Sequence, residues 1–253
     1  MNLSGNTVFI TGATAGIGRG LAEAFYKLGN KVIIGGRRRA LLDEVTGLNP
    51  GMEAIELDMT NMASIESAAA WLKAHHPTLN VLINNAGIMP FDDPSSELDD
   101  DVVQSVVATN LLGPMRMTSL LIEHLKAQAA STIIHNTSVV AFLPLATNAV
   151  YSATKAAMHS FTQSQRFALR NTSVRVIEVA PPWVNTDLIF KSDDPRAMPL
   201  DAFIDDTIAQ LATNTDDIYV ERVREILTHP RYTEYERVEA RNLAMVDDPI
   251  PRH

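Results

Sequence analysis

The chain has 253 residues, 46% of them hydrophobic and 20% charged, with a formal net charge of −9 and no cysteine. That length can fold as one α/β unit around a large core; the acidic balance argues against nucleic acid as a partner, and the absent thiols exclude disulfides, thiolate catalysis and cysteine-held metals. The N-terminus has no basic segment followed by an apolar block and no apolar run approaches the ~20 residues of a membrane span, so a cytoplasmic protein is expected.

A short β-branched run at residues 7–11 ends in T-G-A-T-A-G-I-G, residues 11–18, and a helical pattern through Ile17, Leu21, Phe25 and Leu28 stops at Gly29-Asn30. Strand, glycine turn and helix make the unit that seats a pyrophosphate. Glycines let the backbone approach the ligand, and the helix start offers unpaired N–H groups and a positive dipole end. A second strand, 31–35, runs into Gly36-Arg37-Arg38-Arg39. In a dinucleotide fold this strand end meets the adenosine ribose, where a carboxylate accepts from a 2′-OH and an arginine accommodates a 2′-phosphate. Glycine in the acid's place with guanidinium groups after it favours NADP(H) over NAD(H), while at least one of the three arginines is a solvated basic helix cap.

A helix at 40–46 and a strand at 53–57 lead to Asp58-Met59, and Asn61 can cap a helix running to about residue 74. His75-His76-Pro77 ends it; adjacent histidines point in different directions, so a solvated helix end is expected there rather than a metal site. The apolar run 81–83 suits a parallel strand buried on both faces. It leads into Asn84-Asn85-Ala86-Gly87, polar amides and a glycine where such sheets bind ligands. Of two acidic clusters, Asp92-Asp93 and Asp99-Asp100-Asp101, the second precedes a long helical run and complements its dipole. That helix contains Asn110 and Pro114, and proline cannot donate to the carbonyl four residues earlier. A kink where one water satisfies both that carbonyl and the Asn110 amide, and a plain proline kink, are both open readings.

The strand 131–136, S-T-I-I-H-N, leads into Thr137-Ser138 beside the expected exit of residues 84–87. His135 lies inside it as a packed or hydrogen-bonded residue, and no G-x-S-x-G elbow surrounds any serine. The run 148–170 is free of glycine and proline, and its Tyr151 and Lys155, four apart, emerge on one helical face. A phenol of reference pKa ~10 is a poor base, but a nearby ammonium favours phenolate and lowers that value. Alone, Y-x-x-x-K is a short and degenerate pattern, and an ordinary helix with a tyrosine and a lysine on its surface is the better reading of it. A strand at 174–180 ends in P-P-W-V-N-T, residues 181–186. Strands alternating with helices predict an α/β doubly wound parallel sheet, a Rossmann fold in a single domain spanning 1–253. Within it, 187–215 is expected to be a small substrate lid with a helix at 200–211, 218–220 an edge strand, and 222–253, with Pro249 and Pro251, an irregular C-terminal tail.

Together these stretches resemble the short-chain dehydrogenase/reductase family. T-G-x-x-x-G-x-G matches residues 11–18, N-N-A-G residues 84–87 and Y-x-x-x-K residues 151–155; Ser138 lies thirteen before the tyrosine, and Asn110 falls where that family keeps a helix asparagine. The match covers roughly residues 5–190. The resemblance implies that Tyr151 exchanges a proton with a carbonyl or alcohol oxygen, that Lys155 lowers the tyrosine pKa and holds the nicotinamide ribose, and that Ser138 polarises the substrate oxygen. Asn110 would hold, through its main-chain carbonyl, a water linking Lys155 to solvent. Gly12, Thr14, Gly16, Ile17 and Gly18 would cradle the pyrophosphate, Arg37 and Arg38 the 2′-phosphate, Asp58 and Met59 the adenine. Asn85, Ala86 and Gly87 would meet the adenosine ribose, and Pro181, Val184 and Thr186 the carboxamide end.

Three departures stand out: Ala15 replaces a basic residue frequent in NADP(H)-dependent members, Pro182 replaces a glycine, and the tail lacks the D-G-G ending common in tetramers. A homodimer through the Asn110 and Tyr151 helices is therefore expected, with Ala153, Ala156, Ala157 and Ser160 as a small-residue packing face and a tetramer as the alternative. The implied activity is NADP(H)-dependent reduction of a carbonyl, reversible as an alcohol dehydrogenase. Val140, Phe142, Leu145, Trp183, Leu188 and Phe190 are the expected pocket, whose apolar character suits a hydrophobic ketone or secondary alcohol. A non-catalytic dinucleotide-binding sensor, or epimerase or dehydratase chemistry on the same scaffold, are the competing readings.

Overall fold

The structure is a computed structural model that describes residues 1–189, 191–228, 240, 241, 243 and 244. In chain order the elements are β1 (Thr7–Thr11), α1 (Gly16–Lys27), β2 (Lys31–Gly36), α2 (Arg39–Leu48), β3 (Glu53–Glu56), α3 (Met62–His75) and β4 (Leu79–Asn84). Then follow α4 (Asp100–Val107), a π-turn (Ala108–Leu112), α5 (Gly113–Lys126), β5 (Ser131–Asn136), α6 (Ala149–Leu169), β6 (Val174–Val179), α7 (Leu200–Leu211), β7 (Asp217–Ile218) and α8 (Glu221–Thr228). The strands form one sheet in the order β3-β2-β1-β4-β5-β6-β7, every neighbouring pair parallel. This is the expected doubly wound sheet in a single domain, with the edge strand in place.

Why the sheet is buried on both faces can be read from β1. Its side chains alternate direction, so Val8 and Ile10 join a core with Leu21 and Phe25 of α1 and Phe203 of α7. Phe9 points the other way, into a core with Ile65 and Leu72 of α3 and Met117, Leu121 and Leu125 of α5. The central strands are apolar at nearly every position because neither face meets water.

The long helical run after residue 99 is not one α-helix. Asp99 caps its start, accepting from the amides of Asp101 and Val102 at 3.0 and 3.2 Å, and the π-turn then separates α4 from α5, with Gly113 donating to the Ala108 carbonyl. The expected kink at Pro114 is thus a widened turn, whose extra residue moves the amide-less proline into the first turn of the next helix, where a missing N–H costs least. The side chain of Asn110 has no need of a water. Its oxygen accepts from the Ile88 amide at 2.9 Å and its nitrogen donates to the Ile88 carbonyl at 2.9 Å.

Two further expectations change. His75, the last residue of α3, is exposed as expected, but His76 beyond it is 2% exposed against Trp71, its Nε2 3.5 Å from the Glu53 carboxylate and burial holding its pKa below the usual range. The tail, expected to be irregular, begins in helix α8; Pro249 and Pro251 lie outside the described residues.

Candidate active site

The carboxyl ends of β1, β4, β5 and β6 open into a cavity of about 400 Å³ at the point where the strand order reverses, the place such sheets reserve for ligands. One half of it is built by backbone. Gly12 takes a φ of +69°, and a Cβ there would stand 2.6 Å from the Cα of Ala86. A Cβ on Gly18 would stand 2.4 Å from the Gly12 carbonyl and 2.3 Å from the Asn85 amide nitrogen. Asn85 is what holds the turn: its side chain donates to the carbonyls of Thr11 and Gly12, both at 3.1 Å, while the Thr11 hydroxyl accepts from the amides of Asn85 and Ala86 at 3.1 Å. Ala15, at the N-cap of α1, has no side chain to satisfy the first helical amides, so they are left for a ligand.

A dinucleotide fits this half. The Thr109 hydroxyl and the Asn136 amide oxygen both line the cavity, buried and without a partner among the described residues. At the ribose end, a Cβ on Gly36 would press to 2.8 Å from the Thr14 methyl, so an acidic side chain has no room without displacing Thr14. The Arg38 guanidinium donates to the Thr14 hydroxyl at 2.7 Å, and Arg37 lines the same end. Arg39 instead pairs with Asp43 at 2.9 Å, outside the cavity, as the solvated helix-cap residue.

The other half is built by side chains. The start of α6 is fixed from residues following β4: the Asp92 carboxylate accepts from the amides of Ala149 and Val150 at 2.8 and 2.9 Å, and Asn148 donates to the Pro90 carbonyl at 2.8 Å. One turn on, Tyr151 and Lys155, each 5% exposed, both line the cavity, with the Lys155 nitrogen 5.5 Å from the centre of the phenol ring. Ser138, at the end of β5, hydrogen-bonds Tyr151. Lys155 donates to the Asn136 carbonyl at 2.7 Å.

The electrostatics of this trio differ from the expectation that the ammonium depresses the phenol. Burial raises the Tyr151 pKa above its ordinary value, and the Ser138 hydrogen bond opposes it. Lys155 is itself desolvated, which lowers its pKa to about 8, and its nitrogen is turned to the Asn136 carbonyl rather than to the phenol oxygen. A buried phenol kept protonated beside a lysine that titrates near neutrality can give up a proton to a substrate oxygen and recover one.

The cavity brings together the residues expected at the dinucleotide: Gly12, Thr14, Gly16, Ile17, Gly18, Arg37, Arg38, Asp58, Met59, Asn85, Ala86, Gly87, Pro181, Val184 and Thr186 all line it, with Ser138, Tyr151 and Lys155. Val140, Leu145, Trp183 and Leu188 form its apolar end. Asn110 does not line it; it stands behind Ile88, 3.4 Å from the Thr154 hydroxyl of α6. Phe142 does not either, because the short 3-10 turn Val139–Ala141 carries it to the far side, against His159 at 4.6 Å and Tyr219 at 5.7 Å. Phe190 lies outside the described residues. His135 is buried between Asn84 and Gln165, its pKa lowered to about 4 by burial. Sequence reasoning missed Thr109, Asn136, Asp92 and, from the C-terminal segment, Arg241, which also lines the cavity. Among the described residues no cluster of three metal-ligating side chains occurs, and no helix is long and apolar enough to cross a membrane.

Residues 6–196 match the family described as short chain dehydrogenase. An uncharacterized oxidoreductase, DltE, of Bacillus subtilis (strain 168) is 42% identical over 203 residues, 78% of this chain and 79% of that protein. The NADP-dependent 3-hydroxy acid dehydrogenase YdfG of Escherichia coli (strain K12) is 33% identical over 195 residues, 75% of this chain and 79% of that one. A short chain dehydrogenase from Burkholderia cenocepacia J2315, crystallised in complex with NADP, shares the fold with a TM-score of 0.84 at 28% identity, over 96% of this chain and 99% of that chain.

Proposed function

The chain belongs to the short-chain dehydrogenase/reductase family and is an NAD(P)-dependent oxidoreductase; from that premise we propose that it interconverts a ketone and a secondary alcohol with NADP(H), Tyr151 exchanging the proton. One observation carries this reading: Ser138, Tyr151 and Lys155 meet on the wall of the cavity that the glycine turn also lines. When bound, the nicotinamide supplies or takes up the hydride. The chain's own residues do the rest. Ser138 orients the substrate oxygen, and Tyr151, held protonated by burial, donates to it during reduction and takes the proton back during oxidation. Lys155 holds the nicotinamide ribose and resupplies the proton. Asn110 is a positioning residue: its side chain ties Ile88 to α6, while its main-chain carbonyl, denied the Pro114 amide, is offered to a water leading to Lys155.

NADP(H) is favoured over NAD(H) because the β2 end presents Arg37 and Arg38 where an acid would otherwise accept the ribose hydroxyl, and Gly36 leaves that acid no room. Val140, Leu145, Trp183 and Leu188 suit an apolar body on the substrate, with the 187–215 segment as lid. Association into a homodimer would use α6, where Ala153, Ala156 and Ser160 are exposed; a single monomer mass by light scattering would refute it. The test of the reaction is a panel of ketones and alcohols followed by absorbance with NADPH and NADH in parallel. Turnover with NADPH is expected, and a marked preference for NADH would overturn the assignment to Arg37 and Arg38.

A further inference from the structure

The apolar end of the cavity holds one group that the reaction described above does not use. Arg241 lines it together with Trp183, Leu188 and Ile189. Its Nε is fully buried with no hydrogen-bond partner, and among the described residues no carboxylate pairs with its guanidinium. Burial lowers its pKa, and the neighbouring Arg222 adds repulsion rather than relief. Arginine does not escape such a site by deprotonating. One donor of a permanent cation is therefore buried in the cavity wall without a hydrogen-bond partner among the described residues.

Its position separates it from the cofactor's phosphates. Arg222 donates to the Arg196 carbonyl at 2.7 Å, and the Arg196 guanidinium lies over Trp183, 5.8 Å from the ring centre, so Arg241, beside Arg222, belongs to the segment following β6. Arg37 and Arg38 follow β2, four strand spacings across the sheet, roughly 19 Å at the usual ~4.8 Å between strands. The acid that also lines the Arg241 end, Asp187, is exposed and turned to Lys191 at 3.9 Å.

We propose that Arg241 is a specificity-determining residue that receives the carboxylate of the substrate, so that the enzyme acts on oxo acids and hydroxy acids whose apolar body lies against Val140, Leu145, Trp183 and Leu188. The fork of the guanidinium matches a carboxylate with two parallel N–H···O bonds, and closure of the site around that pair satisfies the buried Nε and leaves the reacting carbonyl toward Tyr151. The proposal rests on the carbonyl-reductase reading above and narrows its substrate from any hydrophobic ketone to an anionic one.

The test uses the full chain with NADPH and matched pairs of 3-oxo carboxylates and their methyl esters, from four to eight carbons. The wild type is expected to prefer the acid to its ester in kcat/KM. Arg241→Gln should cut the acid-to-ester ratio by about ten- to a hundredfold, mainly through KM of the acid, and Arg241→Lys should recover part of it. NADPH affinity, read by fluorescence, checks that the variant is folded and its cofactor end intact. An acid-to-ester ratio that Arg241→Gln does not move overturns the proposal, as does a wild type that reduces esters and simple ketones but not acids. A weakened NADPH affinity with an unchanged ratio would place Arg241 against the cofactor and equally overturn it. Absence of NADPH oxidation with every compound would instead remove the carbonyl-reductase reading, a separate result.

Discussion

The two ends of the cavity are recognised by different means. At the end above β1 and β2 the ligand meets main chain: glycines that admit no Cβ, helix amides without a cap, and an asparagine that braces the turn. At the end above β5 and β6 it meets side chains delivered from α6, from the segment after β6 and from Arg241. Main-chain recognition leaves almost no freedom in residue type, whereas side-chain recognition leaves freedom in where the residue comes from. A change in the glycine turn of the first end should therefore abolish binding of the shared cofactor, and a change at the second should alter chemistry or substrate choice while cofactor binding persists.

The largest expected effect sharpens that contrast. Tyr151→Phe should lower kcat by about 10²- to 10⁴-fold, the range of a lost general acid, with NADPH affinity nearly unchanged by fluorescence titration. Surviving turnover would remove Tyr151 from the reaction. Gly18→Ala should do the reverse. Its Cβ would collide with the Gly12 carbonyl and the Asn85 amide, costing on the order of 3 kcal/mol in urea unfolding and eliminating NADPH binding at concentrations that saturate the wild type.

A third prediction concerns the strand between the two ends. His135 has a folded pKa of about 4 against 6.5 for the free side chain, so the unfolded state binds a proton first as pH falls. The stability it contributes above about pH 6.5 should be lost progressively down to about pH 4, on the order of 3 kcal/mol in all. His135→Asn should flatten the urea midpoint against pH in that window; an unchanged slope would assign acid sensitivity elsewhere. Arg38→Gln, at the main-chain end, should cost about tenfold in the NADPH-to-NADH ratio of kcat/KM, roughly 1.4 kcal/mol. The smallest effect is expected from Asp92→Ala, which removes two bonds at the start of α6. It should cost about 1 kcal/mol of stability and a modest loss of kcat with KM for NADPH unaltered.

The same contrast decides what could be read in the sequence. Thr11 to Gly18 and Asn84 to Gly87 are legible because steric exclusion writes itself into short fixed spacings: Gly12 meets Ala86, and Gly18 meets Asn85. Tyr151 and Lys155 are legible because one helical turn sets their separation. Asp92 is not, since the amides it receives lie 57 and 58 residues on and any acid there would look like solvated loop charge. Arg241 sits in a charged stretch without periodicity, and only the folded chain brings it to the cavity that Trp183 also lines. Phe142 fails for the opposite reason, being apolar and correctly close in sequence, yet rotated by a single 3-10 turn onto His159. The tyrosine's raised pKa was beyond spacing arguments altogether, because burial outweighs a lysine whose hydrogen bond goes to a carbonyl.

The extra residue in the π-turn has a consequence for how this chain can change over time. It lets α4 face α6 while α5 keeps Met117, Leu121 and Leu125 on the sheet, two allegiances that one uninterrupted helix would not satisfy. Substitutions between Ala108 and Leu112 that keep size and polarity are tolerable, but a one-residue deletion would close the widened turn into ordinary α-helix and leave Pro114 inside it, where its ring meets the carbonyl one turn back. Length, rather than composition, is the inherited quantity in that stretch.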